Sequence, residues 1–520
     1  EGSSPSVDVA NGDLVQVEGQ VSEFNGMTEI TSTSGTAVIS SANALPTAAT
    51  LSLPMTSTDE LEAYEGMYVT FPQALVISEY FNFDRFGELV LTTDRQFQPT
   101  AVFEPGSVDA ANLAAANLLS RITLDDGRTS SNPDPAIHPN GLEFNLTNLF
   151  RGGDTVADVT GVINYSFGLY RVQPTQGAEY TSVNPRTASP DTVGGNVSVA
   201  SFNVLNYFTT LDDGSCPYSG GCRGADNATE FTRQRDKIIA ALAEIDADVV
   251  GLIEIENHPT DAALADLVSG LNAAMGAGTY DYVATGAIGP DVIRVAFIYK
   301  PASVTPAGNH AVLDAPTFLD PNNTGSAKNR AALAQTFSNN STGGVFTAVV
   351  NHLKSKGSAC GPGDDDPEQG SCNLTRTLAA QELLNWLSTD PTSSSDEDFL
   401  IIGDLNSYDE EDPIDAIVAG GYTDLIFTFN GESAYSYVFD GQLGYLDHAL
   451  ASADLVGEVT GLTQWHINAD EPDLINYDTT FKQPAQEDIY APDAFRSSDH
   501  DPVIIGFDVC DEVAPTFDQV

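Results

Sequence analysis

The sequence predicts an all-β domain followed by an α/β domain in which two sheets are covered by helices. Three observations predict it. A chain of 520 residues is too long for one ordinary core. Residues ~13–185 alternate apolar and polar positions with the period of strands. Beyond Pro185, Pro190, Gly194 and Gly195, continuous apolar strands alternate with segments of helical period.

In chain order, LVQVEGQVSEF (14–24) reads as a half-buried strand. MYVTFPQALVIS (67–78) and GELVLTT (87–93) read as further strands, and VDAANLAAANLLSRI (108–122) as a helix. TVADVTGVINYSFGLYRVQP (155–174) reads as a strand, a turn and a strand. A small barrel with one inserted helix fits this order. The expected division is a β-domain over 1–190, a linker at 191–196, a second domain over 197–510 and a tail at 511–520.

In the second domain, VSVASFNVL (197–205) and ADVVGLIEI (247–255) are buried strands flanking the helix TEFTRQRDKIIAALAEI (229–245), with Thr229 as its expected cap. A helix near 260–275 follows, then strands near 280–284, 292–299, 331–338 and 345–351. NLTRTLAAQELLNWL (373–387) is a helix and DFLIIGDLN (398–406) a strand. Strands near 435–439, 446–451 and 503–508 complete a four-layer α/β/β/α sandwich. No repeat of fixed period is visible.

Hydrophobic residues make up 41%, enough for real cores. Charge is lopsided: 74 Asp and Glu against 20 Lys and Arg, a formal −54. Two readings fit together, a solvated acidic surface suited to saline water and carboxylates that form divalent-cation sites. Such a charge opposes a polyanionic substrate unless a local face relieves it. Residues 321–363 contain no Asp or Glu, yet hold Lys328, Arg330, His352, Lys354 and Lys356. They read as an anion-binding face, which Arg294, Lys300 and Arg376 extend, or as a neutral strand pair carrying incidental basic residues.

Four of the five cysteines form two close pairs, Cys216 with Cys222 and Cys360 with Cys372. With no CxxC and no nearby His, two loop-closing disulfides are a simpler reading than zinc, and they imply an oxidising compartment. Cys510 is left over. No apolar run is long enough to span a membrane. The chain opens at Glu1 without Met, so a missing signal peptide says little about export.

Six polar clusters follow or punctuate apolar strands: Asn203, Glu254 with Glu256, His352, Asp404 with Asn406, Asp447 with His448, and Asp499 with His500 and Asp501. Strand ends open onto clefts where α/β proteins place ligands. Each residue alone is as well explained as a loop or cap residue; six together argue for a site.

In order, SFNVLN, GLIEIEN, NHLKSKG, GDLNSY, LDHALAS and SDHDPV resemble the motifs of the endonuclease/exonuclease/phosphatase (DNase I-like) superfamily. The run VVGLIEIEN with DVIRVAFIYK and VVNHLKSKG is similar to bacterial extracellular nucleases of the ExeM/NucH type. VEGQVSEFNG and YFNFDRFGELVLT resemble the OB-fold-like (oligonucleotide-binding) β-domain of those proteins. The resemblance implies that Glu254, Asn203 and Asp499 serve a divalent metal. It also implies that Asp447 orients His500, that Asp404 and Asn406 position water or phosphate, and that His352 contacts phosphate. Glu256 has no counterpart; it reads as a second ligand or the partner of a cation. The implied ion is Mg²⁺ or Mn²⁺, with Ca²⁺ as an alternative there or in a structural site.

The chemistry agrees with these roles. Hard oxygen ligands hold an ion that neutralises a phosphodiester, and an imidazole moves protons near neutral pH. His500 and Asp404 are both candidates for the general base. The acidic loops GDDDPEQG (363–370) and LDDGS (211–215) read as solvated loops or as structural Ca²⁺ sites. Tyr80, Phe81, Phe83 and Phe86 read as core packing or as base-stacking rings.

The expectation is a secreted, monomeric, metal-dependent endonuclease acting on extracellular DNA, with RNA as a second substrate. Two alternatives stand beside it. One is a phosphodiesterase or phosphatase on inositol phosphates or sphingomyelin. The other is a nucleic-acid-binding surface protein with a decayed site, which the filled catalytic positions oppose.

Overall fold

A computed structural model describes residues 7–128 and 130–510; the expected tail at 511–520 lies outside them. The chain divides into two compact units. One takes the residues up to Gln96, Ala115–Asn184 and Phe481–Asp488; the other takes Phe97–Ala114, Pro185–Thr480 and the chain from Ile489.

The first unit is mainly β. Its nine-stranded sheet runs Glu179–Thr181, Thr155–Ala157, Leu75–Glu79, Leu89–Thr92, Arg121–Leu124, Leu169–Pro174, Val159–Ser166, Tyr68–Phe71, Ala49–Thr50. Strand 67–78 is cut in two around Pro72, because proline cannot donate to a ladder. Phe83, Phe144 and Phe150 form a buried aromatic triad with centroids 4.8–5.2 Å apart. Leu14–Phe24 is a strand, but it is not half-buried. It pairs only with Met27–Ser40, and no residue of that ribbon is buried. Alternation shows which side chains share a face; whether a second layer covers that face is a tertiary matter.

The second unit stacks two six-stranded sheets. The first runs Asp281–Tyr282, Ile293–Tyr299, Val249–Glu256, Val197–Tyr207, Val503–Phe507, Val459–Gln464. The other runs Val304–Leu313, Ala332–Asn339, Val345–His352, Phe399–Asp404, Asp447–Ala451, Thr423–Asp424. Each is built around a central parallel pair, 197–207 with 249–256 and 345–352 with 399–404. Strands 304–313 and 459–464 escaped the sequence reading because both lie at or next to a sheet edge and are partly exposed.

Between the sheets, Val199, Val249, Phe297, Leu333, Phe346, Ile402 and Ile505 form one dry core. The outer face of the first sheet packs on helices Ala228–Ile245 and Ala262–Met275. That of the second packs on Asn373–Leu387 and Asp412–Ala419. Helix 228–245 starts one residue early: Asn227, not Thr229, is its cap, accepting from the N–H groups of Thr229 and Glu230. Among the described residues no helix is long and apolar enough to cross a membrane.

Candidate active site

The parallel pairs deliver their polar ends to one place. Asn203 leaves the strand 197–207 and Glu254 the strand 249–256. His352 and Asp404, the last residues of their strands, are register neighbours in the facing sheet. Asp447 opens the antiparallel neighbour, paired with Asp404. Backbone strain collects here. Leu205, Asn206, Glu254 and Asn406 all have positive φ, between +50° and +66°. Non-glycine residues pay about 1–3 kcal/mol each for such conformations, which persist where the surroundings impose them.

Glu254 sits in a bulge between Leu252 and Ile255. The bulge breaks the two-residue alternation, so Glu254 and Glu256 part. Glu254 accepts from the Asn206 N–H (3.0 Å) and lies 3.9 Å from His352 Nε2. Glu256 turns to the hydroxyls of Thr209, Thr210 and Tyr218. Among the described residues no cation pairs with it. It holds the loop closed by Cys216–Cys222.

His500 is buried, and its Nδ1–H donates to Asp447 Oδ2 at 2.7 Å. The same oxygen accepts from Ser436 Oγ at 2.7 Å, so the carboxylate is fixed from two sides. Burial acts to lower the imidazole pKa, yet Asp447, Asp499 and Asp404 together hold it well above its ordinary range. Asp404 is raised by burial, Asp447 and Glu254, against the opposing pull of His500. Its partners are the Asn406 N–H (2.9 Å) and Asn203 Nδ2 (3.4 Å). His352 is held the opposite way. Burial and the cations Arg330 and His500 keep its pKa well below the ordinary value, and Arg330 Nη1 donates to its Nε2 at 3.3 Å. One imidazole is thus poised charged and the other neutral.

Glu254, Asp499 and the amide oxygen of Asn203 are hard oxygen donors of the kind Mg²⁺ and Ca²⁺ prefer. Burial, then the neighbouring Asp499, pushes the Glu254 carboxyl upward. Two crowded carboxylates are what a divalent cation relieves, so the residues fit such an ion. The set is mixed carboxylate and amide: among the described residues, no three His, Cys, Asp or Glu side chains gather to hold a metal.

The cationic face divides. Arg330 lies beside His352, with its Nε on Asp291 (3.0 Å). Lys354 is lowered to about 8 by burial, with Arg330, Arg376 and Lys328 acting in the same direction. Arg223, directly after Cys222, joins them through Asp291 and was not singled out from sequence. Three expected members do not face a ligand. Arg294 is buried and donates to Asp261 (2.7 Å) and Thr285. Lys356 is paired with Glu411. Lys300 is paired with Asp246. Basic residue type cannot separate these cases; the partner beneath each one does.

Arg376 is sunk under the site. It donates to Ser407 Oγ and to the carbonyls of Lys354, Ser371 and Gln369, tying together three loops around the Cys360–Cys372 disulfide. Arg376→Met is expected to destabilise the protein by about 3 kcal/mol by orphaning these buried acceptors. Urea unfolding measures it, and an unchanged midpoint would remove Arg376 from this role. The carboxylates of GDDDPEQG serve the same loop. Asp365 accepts from the N–H groups of Cys360 and Cys372, Asp364 from Thr375, and Asp366 from Glu368 and Gln369. These partners make it an internally bonded loop.

Behind the catalytic loop, burial and then Asp409, Glu104 and Asp415 raise the Glu410 carboxyl to about 7. A carboxyl raised on folding stabilises below its unfolded value of 4.5, and that contribution is lost as pH rises through about 7. Glu410→Gln should therefore raise Tm at pH 7.5 and leave it unchanged at pH 4. Equal shifts at both pH values would refute the assignment.

A buried imidazole–carboxylate pair, an oxygen donor set and a flanking cationic group between two facing sheets define the class: hydrolases of phosphate esters. The chain belongs to the Endonuclease/Exonuclease/phosphatase family, whose model matches residues 200–500. Members of this family are generally metal-dependent phosphodiesterases, typically using divalent ions such as Mg²⁺. A domain of unknown function (DUF8508) matches residues 29–185. No curated protein matches the chain. Among solved structures, an endonuclease/exonuclease/phosphatase from Bacteroides vulgatus is 14% identical, covering 59% of this chain and 97% of its own (TM-score 0.37). The human Nocturnin catalytic domain is 15% identical, covering 61% and 96% (TM-score 0.38). TDP2 of D. rerio, complexed with a single-strand DNA product, is 14% identical, covering 59% and 97% (TM-score 0.36).

Proposed function

We propose that this protein is a secreted, divalent-metal-dependent nuclease of the ExeM/NucH type that hydrolyses phosphodiester bonds of extracellular DNA, and RNA as a second substrate. The observation that carries the reading is the His500–Asp447 pair facing Asp404, Glu254 and Asn203, with Arg330 and Lys354 on the flank. The cationic group bears on the objection raised by net charge −54: the surface is acidic, but Arg330, Arg223 and Lys354 gather beside His352, across from Asp404 and Glu254.

In this reading Glu254, Asn203 and Asp499 would hold the ion, which would supply positive charge against the phosphate. Arg330 donates to the phosphate oxygens beside neutral His352, which contacts the phosphate. Asp404 and Asn406 orient the attacking water. His500, charged and fixed by Asp447, gives its Nε2 proton to the leaving oxygen, while Asp404 takes the proton of the attacking water. Two disulfides favour export, and the acidic surface suits saline water. The first unit serves as an OB-fold-like module on the same substrate. Its aromatic candidates split: Tyr80 and Phe83 are core, while Phe81 and Phe86 are exposed.

Incubation with supercoiled plasmid and Mg²⁺ tests the reading. Nicking abolished by EDTA and restored by Mg²⁺ or Mn²⁺ is expected. Intact plasmid with every divalent ion, alongside hydrolysis of inositol phosphates or sphingomyelin, would replace it with the phosphatase reading.

A further inference from the structure

One half-buried ring beside His500 has no role in the chemistry above. Tyr437 lies against His500, with centroids 4.6 Å apart and planes at 32°. It belongs to a short hairpin, Tyr437–Phe439 against Gln442–Gly444, with register Tyr437↔Gly444, Val438↔Leu443 and Phe439↔Gln442. Side chains alternate along a strand, so Phe439 shares the face of Tyr437, one residue pair and roughly 7 Å further from His500. The other face is anchored. Leu443 is buried against Tyr435 and Ala469, and Val438 packs there too.

The hairpin is stiff. Its loop is two residues, Asp440 and Gly441, at φ +50° and +74°, the pattern of a tight turn matched to strand twist. Gln98 braces it: its N–H donates to the Leu443 carbonyl and its Nε2–H to the Phe439 carbonyl, both at 2.9 Å. Gly444 faces the ring of Tyr408, where a Cβ would stand 2.6 Å from ring carbons, so a side chain there would push the hairpin off the site. Yet Phe439, held so firmly, is 62% exposed. A phenylalanine fixed in water at the end of an aromatic row leading to the catalytic imidazole is placed to receive a flat apolar partner.

We infer that Phe439 is a substrate-binding residue that stacks an unpaired nucleobase flanking the scissile phosphate, which makes the preferred substrate a nucleic-acid strand with accessible bases. The inference rests on the nuclease reading above. Stacking suits the position because every base presents a π-face to a ring, whatever the sequence. It adds affinity without adding positive charge to an acidic protein. A ring restrained by its strand also loses little freedom on binding.

Steady-state cleavage of a single-stranded oligonucleotide is compared with that of the same backbone carrying tetrahydrofuran in place of every base, and with methyl p-nitrophenyl phosphate. Phe439→Ala is expected to lower kcat/KM on the base-bearing strand about tenfold, chiefly through KM, and to leave both base-free substrates unchanged. Phe439→Trp retains wild-type kcat/KM. Equal wild-type and Phe439→Ala activity on the base-bearing strand overturns the inference while the nuclease reading stands. So does an equal loss on all three substrates. Wild-type protein that hydrolyses the small diester but cleaves no oligonucleotide overturns both.

Discussion

Replacing His500 by alanine is expected to lower kcat by about 10²- to 10⁴-fold with little change in KM, the range for loss of a positioned proton-transfer group. The imidazole is buried, and its Nδ1 is committed to Asp447, leaving Nε2 as the nitrogen that faces chemistry. Asp447→Asn should lose nearly as much. An amide can present its NH₂ to Nδ1 and reverse the tautomer, and it no longer balances the imidazolium. Residues that act as one unit are not additive. The double variant should therefore resemble His500→Ala alone, and a loss equal to the product of the two single losses would show that the pair does not work together.

Glu254→Gln is expected to cost about three orders of magnitude in divalent-dependent kcat/KM, since several kcal/mol of charge stabilisation depend on the ion it would hold. Stability should move the other way. The carboxylate is buried beside Asp499, in a left-handed backbone conformation, with the Asn206 N–H as donor. Glutamine keeps an oxygen for that donor and removes the buried charge. With EDTA present, Tm should rise in the variant at pH 7.5, and added Mg²⁺ should raise Tm of the wild type alone. A variant that loses stability in EDTA while keeping its Mg²⁺ response would place the ion elsewhere. Strained, charged, self-repelling groups cost stability where they supply function.

Much of this site was legible before folding. The clusters at Asn203, Glu254, His352, Asp404, Asp447 and His500 each interrupt an apolar strand with residues that carry protons or bind cations. The structure brings them together because the strands are central members of two facing sheets. Chain order alone determined the close cysteine pairs, since loops of 6 and 12 residues leave few other partners. It also determined the acid-free stretch at 321–363, which stands out against so acidic a background.

Tertiary structure decided what each charge does. Glu254 and Glu256 are two residues apart and should share a face, but a bulge sends one to the site and the other to a disulfide loop. Arg330 and Arg294 are indistinguishable as cations in strand-rich sequence, yet one meets His352 and the other is buried against Asp261. Phe439 was one apolar residue of a short strand until the hairpin placed it in line with Tyr437 and His500. The physical reason is common to all three. Residue type and local period specify what a side chain can do and which face of its strand it occupies. Its protonation, its pairing and its access to a ligand depend on groups far away in sequence that only packing brings within a few ångströms.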